Sequence, residues 1–154
     1  MKISSRRALV ASLFFLLSCG GKTDSKLGLT DDLQLSPCGD LPNCVSSDEN
    51  GRHGIEPLRL GTDPATAWEA LVAHLESDPS FEITVQEGDY LRAVARTRIF
   101  RFQDDVEFHL RSEAKQIAMR SASRIGLSDL GKNRGRLESI RRALAKARVL
   151  STSG

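Results

Sequence analysis

The stretch FEITVQEGDYLRAVARTRIFRFQDDVEFHLRSEAKQIAMRSASR, residues 81–124, decides the fold. Phe81, Ile83 and Val85 alternate with polar residues, the period of a strand with one face toward water. Glu87-Gly88-Asp89 turns the chain, and Tyr90 to Phe102 reads as a long second strand. Its apolar parity shifts from Leu91, Ala93 and Ala95 to Phe100 and Phe102, which predicts a bulge or break near Arg98. Val106, Phe108 and Leu110 mark a third strand. After a turn at Ser112–Lys115, Gln116 to Arg124 forms a fourth.

Working outward, Thr62-Asp63-Pro64 carries a helix start, with Asp63 as the cap and Pro64 at the first helical position. Trp68, Leu71, Val72 and Leu75 follow at helical spacing, and Asp78-Pro79 ends the helix. Leu137, Ile140 and Leu144 line a basic helix from about Asn133 to Arg148. The predicted class is therefore α+β, a four-stranded antiparallel meander flanked by two helices in the order α-β-β-β-β-α. Both helices are expected on one face of the sheet.

The amino-terminal part has a different character. Lys2, Arg6 and Arg7 precede an apolar run from Ala8 to Leu17, too short to cross a bilayer as a helix but suited to a signal peptide. The run ends in Leu16-Leu17-Ser18-Cys19-Gly20, which resembles a bacterial lipobox. That resemblance implies cleavage before Cys19 and lipid attachment to it. Gly20 in the next position resembles an outer-membrane-retained lipoprotein. Residues 1–18 are thus expected to be a signal peptide, 19–36 a lipid-anchored linker, and 37–150 a single globular domain. Localisation follows: the cell envelope, lipid-anchored, at the outer membrane facing the periplasm. The 154-residue chain has 22 Lys+Arg and 20 Asp+Glu. Without residues 1–18 it keeps 19 basic against 20 acidic side chains. Such a near-neutral exported domain is not expected to bind nucleic acid.

Cys38 and Cys44 read as a disulfide, since an exported chain meets oxidising conditions and Gly39 and Pro42 suit a tight loop. A metal site using both thiols with His53 is the competing reading, without the paired C-x2-C spacing of zinc sites. Neither a P-loop nor a dinucleotide fingerprint occurs, so no cofactor is expected, and no metal.

Three stretches resemble a bacterial and plastid family known as domain of unknown function 1499. They are C-G-D-L-P-N-C-V-S-S at residues 38–47, Arg101 to Phe108, and Arg120 to Arg134. With Ile55-Glu56-Pro57-Leu58 and the spacing between them, the resemblance spans residues 37 to 144. Gly39 stands where the family often has Pro, and Leu127 where an aromatic is common. The resemblance implies no activity and no catalytic residue.

The candidate site lies in the third stretch. Arg120 and Arg124 share one face of a strand, while Ser121 and Ser123 point the other way. Asp129 and Asn133 sit in the polar turn that leads into the last helix. One reading is an anion pocket of Arg120, Arg124, Asp129 and Asn133 for a carboxylate, phosphate or anionic lipid head. The other pairs the arginines with Asp104, Asp105, Glu107 or Asp129 and leaves Asn133 to cap the helix. For catalysis, the one local arrangement is Ser46 or Ser47 with Asp48 and His53, without a G-x-S-x-G elbow. The expected function is a non-catalytic envelope lipoprotein that binds an envelope protein or a small anionic ligand. The alternative is a hydrolase acting on an envelope component.

Overall fold

The computed structural model describes residues 27–97 and 101–151. Strands β1 (Cys44–Ser46) and β2 (Leu58–Arg59) precede helix α1 (Pro64–Ser77). Then come β3 (Phe81–Glu87), β4 (Tyr90–Arg96), β5 (Gln103–Arg111), β6 (Gln116–Ser123) and helix α2 (Lys132–Lys146). All strands join one antiparallel sheet in the order β1-β6-β5-β4-β3, with β2 beside β1 on the outer edge of β6. The sheet therefore has six strands, not four. The two extra ones have three and two residues, too few for an alternation to show in sequence.

Helix α1 starts as its sequence dictates: the Asp63 carboxylate accepts from the Thr66 N–H at 2.9 Å, and Pro64 occupies the first turn. Those hydrogen bonds hold the Asp63 carboxyl below its ordinary pKa. Its apolar stripe buries Ala67, Leu71 and Leu75, and α2 buries Leu137, Ile140 and Leu144 beside it. Against them lie Leu91, Ala93 and Ala95 of β4, Val106 and Phe108 of β5, and Ile117 and Met119 of β6. This face is a conventional apolar core, each full side-chain burial contributing about 1.5–3 kcal/mol.

One strand expectation changes. The second long strand stops at Arg96, because Thr97 turns the chain: Thr97 N–H donates to the Phe102 carbonyl and Arg101 N–H to the Thr97 carbonyl. The bulge expected near Arg98 falls outside the described residues. A register shift that the sequence did not suggest occurs in β3, between Ile83 and Val85.

The opposite face of the sheet is not open to water. Residues 27–36 lie across it, ahead of residue 37, where the sequence places the start of the domain. Leu35 is only 2% exposed, yet it stands outside the core cluster beneath the helices. The Gly28 N–H reaches Glu107 in the middle of β5, and the Leu35 N–H reaches Asp48 beyond β1. This amino-terminal strap ends in the Cys38–Cys44 disulfide, which ties it to β1 across a Cα–Cα distance of 5.7 Å.

Candidate functional site

Parity on β6 decides which side of the sheet Arg120 and Ser121 face. Ile117, Met119, Ser121 and Ser123 face the helices, and Ala118, Arg120, Ala122 and Arg124 face the strap. On β5 the register Glu107↔Arg120 and Asp105↔Ala122 puts two carboxylates on the strap side as well. A charge leaving water for that layer must find a partner and hydrogen bonds.

Glu107 and Arg120 do so as a directly opposed cross-strand pair, Nη1 to Oε2 at 2.6 Å, with the arginine 1% exposed. The other oxygen, Oε1, accepts from the Tyr90 hydroxyl at 2.7 Å and from the Gly28 N–H at 2.6 Å. Burial pushes the Tyr90 phenol well above its ordinary pKa, and the neighbouring Glu107 carboxylate adds to the shift. The Arg120 Nε is buried without a hydrogen-bond partner among the described residues. Three groups from the strap and two strands thus converge on one carboxylate, an arrangement that holds a layer together.

The same logic repeats at both ends of the strap face. Arg111 forks onto Asp48, with Nη1 and Nη2 at 2.8 and 2.6 Å, and also donates to the Leu33 carbonyl. Arg124 forks onto Asp105 at 2.9 and 2.7 Å and reaches the Gln103 side chain with its remaining nitrogen. Hydrogen bonding to Asp105 raises the Arg124 pKa further. Planar bidentate pairing of this kind suits arginine and not lysine. His109 lies buried between these pairs, its pKa lowered first by burial and then by the nearby Arg111 charge.

Asn133 belongs to the other side of the sheet. Its amide donates to the Asn43 carbonyl and the Ser123 hydroxyl, and its Oδ1 accepts from Ser121 and Arg136. Arg136 continues to Asp104, closing a buried polar cluster at the start of α2. Asn133 therefore does not cap the helix: Asp129 does that work, accepting from the N–H groups of Gly131 at 3.0 Å and Asn133 at 2.7 Å.

The four residues of the predicted anion pocket are split by β6 itself. Arg120 and Arg124 lie on the strap side, Asn133 and Asp129 at the helix start. Asp129 lines two surface cavities, but Arg120, Arg124 and Asn133 line neither. The pairing of Arg120 with Glu107 and of Arg124 with Asp105 is the arginine–carboxylate arrangement the sequence offered as the competing reading. Arg136 and Asn43 escaped the sequence reading. The available signal for Arg136 was its position one helical turn after Asn133.

Among the described residues His53 makes no hydrogen bond to Ser46, Ser47 or Asp48. Ser46 Oγ accepts from the Asp48 N–H and Ser47 Oγ from the Met119 N–H, while Asp48 is taken by Arg111. His53 Nδ1 sits 2.8 Å from the Cys44 carbonyl and its Nε2 accepts from Arg52. Among the described residues no group of three or more His, Cys, Asp or Glu side chains is placed to hold a metal.

A six-stranded antiparallel sheet with two helices on one face and a disulfide-tied strap on the other defines a small α+β domain with a buried ionic layer. The chain belongs to the family described as protein of unknown function (DUF1499), whose pattern matches residues 34–144. Neither a curated protein nor a solved structure matches it.

Proposed function

We propose that this protein is a non-catalytic accessory domain of the bacterial cell envelope, held to a membrane by lipid on Cys19. The observation that carries the non-catalytic part is the commitment of Ser46, Ser47, Asp48 and His53 to structural partners. A serine hydrolase needs its serine and base within hydrogen-bond reach, and both His53 nitrogens are engaged elsewhere. Arg120 and Arg124 act in this reading as internal partners of Glu107 and Asp105, so binding to an envelope protein or an anionic ligand uses other surfaces. The lipobox-like Leu16–Gly20 supports the anchor and the outer-membrane placement, and the Cys38–Cys44 disulfide fits an oxidising compartment. No helix among the described residues is long and apolar enough to cross a membrane. Mass spectrometry of the membrane-extracted protein tests the anchor: the amino-terminal residue is expected to be Cys19 carrying lipid, and an unmodified Cys19 or a different amino terminus would remove the basis for the proposal.

A further inference from the structure

One end of the sheet carries large apolar side chains that stand in water. The β4–β5 turn contributes Phe102, 44% exposed, and the loop between β6 and α2 contributes Ile125, Leu127 and Leu130, 62, 77 and 90% exposed. Phe102, Ile125 and Leu130 border one shallow cavity of about 340 Å³ with Lys132. Large apolar side chains gathered at loop tips mark a contact surface more than scattered single ones do. Leu130 is the most exposed of them, and its φ of 53° lies in the left-handed region, a conformation shared by Leu33, 59% exposed beside Arg111.

We propose that this end is a membrane-contact face, seated in the headgroup region of an anionic bilayer. Charge favours that occupant. Arg101 and Lys132, both exposed, flank the apolar tips. The carboxylates bordering the cavity are directed inward, Asp104 to Arg136 and Asp129 to the N–H groups of Gly131 and Asn133. Apolar tips rimmed by cations match a surface of acyl chains beneath negative headgroups. The length of chain outside the structure points the same way, on the anchoring proposed above. Leu27 follows Cys19 by eight positions. Fully extended, that length of chain spans at most about 28 Å, so a lipid on Cys19 keeps the domain against its membrane.

Depth-resolved fluorescence tests the face. Leu127→Trp and Leu33→Trp are each made in the full-length protein and mixed with vesicles of phosphatidylglycerol and phosphatidylcholine bearing brominated acyl chains. The wild-type chain supplies the Trp68 background. Leu33 is the control because its carbonyl meets Arg111, at the end of β5 away from Phe102. The expected result is quenching several-fold stronger at residue 127 than at residue 33, weakened by adding Leu130→Asp and by omitting phosphatidylglycerol. Equal quenching at both positions, or none at residue 127, overturns the proposal; a face built for a protein partner gives the latter. Flotation of Cys19→Ala with the same vesicles reads the anchor separately. A chain that floats unquenched removes the face alone, and quenching at residue 127 that persists in Cys19→Ala supports the face whatever holds the chain.

Discussion

The two faces of this sheet are assembled by opposite means. Beneath the helices the layer is apolar, from Leu71 and Leu75 through Phe108 and Met119 to Leu137 and Ile140. Beneath the strap the layer is ionic, with Glu107–Arg120 at its centre and Asp48–Arg111 and Asp105–Arg124 toward its ends. The apolar face tolerates imperfect geometry, because hydrophobic burial has no direction. The ionic face does not: each buried carboxylate is stable only while all of its donors are in place. The difference explains why a segment with isolated leucines and no period can cover a sheet. The strap brings N–H groups and a carbonyl to charges already fixed by strand register.

The largest expected effect comes from breaking the centre of that ionic layer. Arg120→Ala or Glu107→Ala should cost about 3–5 kcal/mol in denaturant unfolding, since each leaves a buried charge without its counter-ion. A smaller loss, about 2–3 kcal/mol, is expected for Asn133→Ala on the helix side, where Ser121, Ser123 and Arg136 lose a shared partner. The strap itself is probed by Cys38→Ser with Cys44→Ser. Losing so short a ring should cost about 2 kcal/mol and deprotect the Gly28 and Leu35 amides before those of the helix-face strands in hydrogen exchange.

Leu130→Gly should act in the other direction. Removing a side chain from a left-handed position that is almost wholly exposed is expected to leave thermal stability unchanged or raised by up to about 1 kcal/mol. The smallest effect is the pH dependence of the strap face. Burial favours neutral His109, whose folded pKa is below the ordinary value of 6.5. The unfolded chain therefore binds the proton more readily, and stability is full above pH 6.5 and falls as pH drops toward the lower folded value. His109→Gln should flatten that slope in unfolding curves measured from about pH 7.5 downward.

The same contrast governs how much could be read from the sequence. Alternation in Phe81–Val85 and Val106–Leu110 and the helical spacing of Trp68–Leu75 exposed the helix-side core, because burial there has a period. Glu107, His109 and Arg111 alternate just as regularly, but outward charged residues look alike whether water or a strap covers them. Residues 27–36 read as linker because only Leu35 and Ser36 are buried by side chain, and the remaining contacts are backbone N–H groups and a carbonyl, which no side-chain pattern records. The parity that splits Arg120 and Arg124 from Ser121 and Ser123 was legible. Which parity received α2 was not, and on that turned whether Asn133 joined the arginines. Arg136 was hidden by its surroundings: in a helix with Arg134, Arg141 and Arg142, one more arginine reads as a solvated face.

On the function proposed above, Arg120 is an internal structural partner of Glu107 and not a ligand-binding cation. A double-mutant cycle of Arg120→Met and Glu107→Leu, followed by denaturant unfolding, tests it most directly. Each single variant should lose several kcal/mol, and the double variant should lose clearly less than the sum, because no orphaned charge remains even though the Tyr90 hydroxyl and the Gly28 N–H lose their acceptor. Single variants within about 0.5 kcal/mol of wild type, or losses that simply add in the double variant, would contradict the account.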